Sequence, residues 1–215
     1  MPEDPAATAA PRRIDTAPTS DACAVLLASA FAAEPAVSWI CGASAAARAQ
    51  WFRATLRTHA SLAGARRTAL VDADGRPLAA AVLTPPGAVP GAGARARWAA
   101  RTLLRCGPLA LTRTLRYLDA AEGRAPEGAW TLEFVGVRPD LTGRGAGRTL
   151  LDHVLAAVPA GAGVHLTTAD PSNVPLYRRF GFVTQHEIAL GPLTVTAMAR
   201  PPRRADGSPP GTAHR

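Results

Sequence analysis

Apolar and polar positions alternate in blocks along this chain, and each block carries its own period. Arg12 to Thr16 is long enough for one short strand. Thr19-Ser20-Asp21 offers capping side chains ahead of CAVLLASAFAAE, which predicts a helix ending near Pro35. Ser44 to Leu62 reads as a second helix, with Trp51, Thr55, Leu56 and His59 spaced along it. RRTALVDADGRPLAAAVLT places two apolar runs around Asp74-Gly75, a pair suited to a tight turn, and predicts a hairpin. Pro85 to Gly93 breaks the pattern. From 95 to 121, arginines interleave with leucines as in one or two amphipathic helices, parted at Gly107-Pro108. Gly123 to Gly128 is a loop.

The last third changes rhythm. WTLEFVGV (130–137) reads as a strand, RPDLTGRGAG as a Gly-rich turn, RTLLDHVLAAV (148–158) as a helix and GVHLTT (163–168) as a strand. Asn173 to Phe180 is a short helix, and FVTQHEIAL and LTVTAMA are closing strands. A strand, a crossover helix and a second strand normally become parallel neighbours. The chain is thus mixed α/β. Its 215 residues and 47% apolar content suit one domain. That domain is placed at 11–200, between a Pro/Ala/Thr-rich arm at 1–10 and a tail at 201–215, both expected to be disordered.

Charge and cysteine usage narrow the setting. The formal charge is +8, carried by arginine alone, since no lysine occurs. Positive charge favours anionic partners, but no aromatic-plus-basic pattern or nucleic-acid motif accompanies it, so no nucleic-acid partner is expected. Cys23, Cys41 and Cys106 lie far apart without metal spacing, which predicts reduced thiols, no metal and a cytoplasmic setting. No long uncharged apolar run predicts a membrane span, and the first residues, with Glu3 and Asp4, do not read as a signal peptide.

Chemistry concentrates at Thr142-Gly143-Arg144-Gly145-Ala146-Gly147-Arg148. Glycines between a strand and a helix let the backbone come close to a ligand. The helix start that follows has unpaired amides and partial positive charge, a cradle for phosphate. A dinucleotide fingerprint fails because Leu150 stands at its third glycine, and a P-loop fails for want of lysine.

VGVRPDLTGRGAGRTLL resembles the acetyl-CoA motif of the GNAT acetyltransferases, with Gly145 and Gly147 at its glycines and Thr142 where Gln or Arg is usual. Asn173-Val174-Pro175-Leu176-Tyr177-Arg178-Arg179-Phe180-Gly181-Phe182 resembles that family's second block, with a shorter Asn-to-Tyr spacing and Arg178 in place of an acid. The resemblance spans about 129–183. Its layout is similar to that of the puromycin N-acetyltransferase family.

The resemblance implies a twisted, mainly antiparallel sheet with helices on both faces and a splayed, parallel fourth and fifth strand. It implies acetyl-CoA as co-substrate and direct transfer to a small-molecule amine, of antibiotic or aminonucleoside type, by a monomer or homodimer. A protein or peptide N-acetyltransferase and a non-catalytic acyl-CoA sensor are the alternatives. Val135, Gly136 and Val137 are expected along the pantetheine arm, the amides from Gly143 to Arg148 on the pyrophosphate, and Asn173 on the pantetheine or the base of the helix. Tyr177 is the expected general acid, since a phenol of pKa about 10 can protonate a thiolate whose thiol resembles cysteine, at about 8.5. Glu133 is the expected base, because alternation puts its side chain on the same face as Val135 and Val137. His59, Asp15 or a water chain are weaker options. The amide near Val137 is the expected oxyanion donor. Phe31, Trp39, Trp51, Phe52, Trp98 and Tyr117 are aromatics for the core or for an acceptor pocket.

Overall fold

The computed structural model describes residues 12–121 and 123–203. The expected N-terminal arm and residues 204–215 of the tail lie outside them. Residue Arg203, at the start of that tail, donates to the carbonyls of Ala156 at 2.9 Å and Val158 at 3.3 Å.

The described elements run β1 (Arg13–Asp15), α1 (Ser20–Ala30), α2 (Pro35–Cys41), α3 (Ala45–His59), β2 (Arg66–Val71), β3 (Pro77–Thr84), α4 (Ala92–Cys106) and α5 (Pro108–Ala121). They continue with β4 (Trp130–Val137), α6 (Ala146–Ala156), β5 (Val164–Thr168), α7 (Val174–Arg179), β6 (Val183–Leu190) and β7 (Leu193–Arg200). One seven-stranded sheet has the order β1-β2-β3-β4-β5-β7-β6. Every neighbouring pair is antiparallel except β4–β5. This is the mixed α/β architecture that the strand–helix–strand order predicts.

The first helix stops earlier than expected. Thr19 caps α1 through its hydroxyl, and the helix ends at Ala30. Pro35 does not close that helix but opens a separate one, α2, at a position where its missing N–H costs nothing. The Glu34 carboxylate accepts the Val37 amide there at 2.7 Å.

Helices cover both faces of the sheet. On one face, α6 packs Leu150, Leu151, Val154 and Leu155 against Leu83, Leu132, Val164 and Leu166. On the other, α1 and α3 bury Leu27, Trp51, Phe52 and Leu56 against Ala80 and Val82. The α4–α5 pair, inserted between β3 and β4, is fastened to α3 by two indoles. Trp51 Nε1 donates to Thr114 Oγ1 at 2.9 Å, and Trp98 Nε1 donates to Thr55 Oγ1 at 3.3 Å.

Candidate active site

β4 and β5 pair only at their starts. Trp130 and Thr131 oppose Val164 and His165, and no pairing follows. From Leu132 onward β4 therefore has a free edge toward β5, which is the splay implied by the sequence resemblance. The Trp130 amide donates to Gly163 O at 2.9 Å, so this residue addresses β5. The Arg138 amide donates to Leu78 O at 2.9 Å, so that one addresses β3. Backbone groups alternate along a strand. Val135 and Val137 therefore turn their amides and carbonyls into the splay, where an extended chain can pair with them.

A β-bulge sets this phase. Val82 opposes Phe134 while Leu83 opposes Leu132, which leaves Glu133 as the extra residue. A bulge shifts the side-chain alternation by one. This corrects the expectation that Glu133 shares a face with Val135 and Val137. Val135 and Val137 pack with Leu132 on the α6 side. The Glu133 carboxylate instead accepts from Thr84 Oγ1 at 2.7 Å and borders a cleft under α4–α5. That cleft, of about 860 Å³, is lined by Val89, Arg95, Leu115, Arg116, Leu118, Asp119, Ala121 and Glu133. Glu133 keeps solvent access at the cleft, yet protein crowds it on most sides. The loss of bulk water raises its pKa, opposed by the Thr84 hydroxyl.

The cradle lies at the end of β4. A 3-10 turn at Pro139–Leu141 leads into it, and α6 begins at Ala146, two residues earlier than expected. Gly145 takes φ +80°, a left-handed conformation that side chains resist. Thr149 is the first amide to donate back into the helix, to Gly145 O at 3.0 Å. No side chain caps the start. The amides of Ala146, Gly147 and Arg148 are thus left for an anion, which fits a pyrophosphate. The Arg144 amide, expected in the cradle, is engaged by Leu141 O at 3.2 Å, so Arg144 can act there only through its exposed guanidinium, whereas Arg148 offers both its amide and an exposed guanidinium. Asn173 heads α7 and its side chain makes no capping bond.

Tyr177 is buried in the α6-side core, its ring edge-on to Phe182 with centroids 5.8 Å apart. Burial drives its pKa well above the ordinary phenol value, and Glu34, Asp170 and Tyr117 add to the rise. Tyr117 is the residue sequence reasoning placed only among core or pocket aromatics. Its hydroxyl lies 3.0 Å from Thr167 Oγ1 on β5. Burial pushes its pKa up to about 12, lowered by Thr167 and raised by Glu34 and Glu133. Tyr117 thus stands electrostatically between Glu133 and Tyr177. Glu34, itself raised by burial, was also missed, because the sequence placed it at the end of the first helix with nothing to mark a buried carboxylate.

The weaker base options fall elsewhere. His59 is buried, and its Nε2 donates to Leu83 O at 3.1 Å. Burial pushes its pKa down to about 4, the bond to Leu83 opposing. The Asp15 carboxylate accepts the Ala17 amide beside the edge strand. Phe31, Trp51 and Phe52 join Phe134 in edge-to-face core contacts, and Trp98 is buried. Trp39 lies beneath the Arg113 guanidinium, 5.3 Å from it.

Residues 113–184 match the family described as Acetyltransferase (GNAT) domain. A Corynebacterium glutamicum structure described as histone acetyltransferase HPA2 and related acetyltransferase is 21% identical. The match covers 89% of this chain and 96% of that one, with a TM-score of 0.64. The ribosomal-protein-S18-alanine N-acetyltransferase of Escherichia coli is 17% identical over 95% of this chain and 99% of that one, TM-score 0.53. The phosphinothricin acetyltransferase of Sinorhizobium meliloti, in complex with AcCoA, is 14% identical over 94% of each chain, TM-score 0.51. The chain has the fold of the GNAT acetyltransferases, and the domain match supports an acetyltransferase enzyme.

Proposed function

We propose that this protein transfers the acetyl group of acetyl-CoA to an amine on a small cationic molecule, by direct attack within a ternary complex. One observation carries the reading. The splayed strand β4 has an amide cradle at its end, and the bulge on the same strand sets a carboxylate at the border of a cleft under α4–α5. The cradle suits the pyrophosphate of the co-substrate, and the backbone of Val135 and Val137 suits its pantetheine arm; Gly136, expected there too, addresses β3 and turns its bare Cα to Leu27 and Ala30 of α1 instead. A splay-facing amide of β4, that of Val137 or a neighbour, is the donor we assign to the carbonyl oxygen as it gains charge.

Charge supports an amine as acceptor. The chain is strongly basic, yet carboxylates gather at this place: Glu34, Asp170 and Glu133 bear on the two tyrosines. They attract an ammonium ion and, through Glu133, directly or by water, take the proton that must leave before the nitrogen can attack. Burial favours the neutral phenol of Tyr177, which we assign the proton for the departing thiolate. Asn173 orients the arm beside it. Leucines and a valine line much of the cleft, which favours an amphipathic amine such as an aminonucleoside over a small polar one. We place the enzyme in the cytoplasm, as a monomer or homodimer, where its three thiols stay reduced.

The test is thiol release from acetyl-CoA with puromycin, other aminonucleosides, arylalkylamines and peptides bearing free N-termini. Release dependent on one small amine, with an acetylated product by mass, supports the reading. Release dependent only on peptides replaces it with a protein N-acetyltransferase. Tight acetyl-CoA binding with no acceptor at all favours a sensor.

A further inference from the structure

Two rows of arginine meet on the outer surface of the α3–α4 pair. Arg53 and Arg57 stand one turn apart on α3, and Arg101 and Arg105 stand one turn apart on α4. Residues four apart share a helix face. The rows close around a depression of about 230 Å³ lined by Gln50, Arg53, Ala54, Arg57, Arg101 and Arg105. Four arginines thus border one small volume. Among the described residues only Arg57 has a counter-charge there, Asp21 at 3.3 Å, and that pair is half exposed.

The convergence is imposed by packing, not by the charges. Trp98 and Thr102 bury the inner side of α4, and the bond from Trp98 to Thr55 fixes the register of the two helices. Like charges held side by side oppose folding. An anion in the depression removes that opposition and accepts from several planar, two-pronged donors, the geometry in which arginine binds phosphate best. The depression lies on the outer side of α3, on the sheet face that α3 covers, whereas the cradle opens α6 on the other face. No aromatic side chain lines it, so the stacking that holds single-stranded nucleic acid is missing.

We propose that this four-arginine depression is a second anion site, taking a compact pyrophosphate group, free or at the end of a small metabolite, apart from the cofactor cradle. The experiment is calorimetric titration of the full chain with inorganic pyrophosphate and, separately, with ADP. Wild type, Arg101→Gln/Arg105→Gln and Arg144→Gln/Arg148→Gln are compared at matched ionic strength. The depression variant is expected to weaken one pyrophosphate site by about tenfold or more, since bonds to charged groups are the strong ones. It should leave the KM for acetyl-CoA within about twofold, while the cradle variant keeps the depression site intact. Without ligand, the depression variant should melt at or above the wild-type temperature, because repulsion is relieved. Should it fail to fold, Arg105→Gln alone on the exposed α4 surface gives the same readout at reduced size. Tighter binding of ADP assigns the site to a metabolite, and equal or weaker binding to the free anion. Unchanged pyrophosphate affinity in the depression variant overturns the proposal. So does stabilisation matched by sodium chloride, or a short oligonucleotide that displaces pyrophosphate at far lower concentration.

Discussion

The two sides of β4 are built from different materials. Toward α6, the groups that face the splay and the cradle are backbone amides, held by a left-handed Gly145 and a helix start without a side-chain cap. Toward α4 and α5, the cleft is made of side chains drawn from three places: Val89 in a loop, Arg95 through Asp119 on two helices, and Glu133 on the bulge. A ligand held by backbone demands particular residues at particular spacing, because few residues allow the backbone shape. A ligand held by side chains from scattered elements demands only that the elements meet. The first leaves a motif and the second does not.

Four measurements press on this contrast. Removing the Tyr177 hydroxyl should do most. Tyr177→Phe is expected to lower kcat by about 10²–10⁴-fold while calorimetry shows acetyl-CoA affinity unchanged, and full turnover would move the acid elsewhere, with Tyr117 next in line. The His59 core contact should come second. Its folded pKa of about 4 lies below the ordinary 6.5, so its contribution is complete above pH 6.5 and is lost as pH falls toward 4. That loss is about 3 kcal/mol over the interval. Urea unfolding at pH 7, 5.5 and 4 reads it, and His59→Gln, which can still donate to Leu83 O, should flatten the dependence.

Glu133→Gln tests the acceptor side directly. We expect kcat/KM to fall by about 10²-fold, and the acid limb of its pH profile, displaced above the usual carboxylate range, to disappear. A carboxylate whose pKa rises on folding costs stability once ionised; the cost is absent below the ordinary value and sets in as pH rises through the folded one. The variant should therefore melt no lower than wild type at pH 8. Persistence of the acid limb would assign it to another group. Gly136→Ala is the smallest effect and tests how tightly α1 sits on β4. A Cβ there would lie 2.8 Å from Leu27 Cδ2 and 2.9 Å from Ala30 Cβ. Such overpacking costs about 1–3 kcal/mol, at about 2–4 °C of melting temperature per kcal/mol. An unchanged melting point would show that α1 can move away from the strand.

The strand–loop–helix–strand order, the glycine turn ahead of α6 and the short helix that carries Tyr177 were all legible in the chain, and so was the hairpin around Asp74-Gly75. Glu133 was found as a residue but put on the wrong side of its strand. Alternation counted along WTLEFVGV assumes regular pairing, and nothing within that segment announces an extra residue. The bulge exists because β4 must match β3 across Val82 and Leu83, a partner some fifty positions away. Pro35 was likewise read as a stop when it begins a helix, since proline suits both places and only the packing of Val37 and Ile40 into the α1–α3 core decides. Local backbone chemistry, written in consecutive residues, the sequence determines by itself. Which face a side chain takes, and which distant tyrosine and carboxylate share its field, depend on pairings between segments far apart in the chain, and those only the tertiary structure decided.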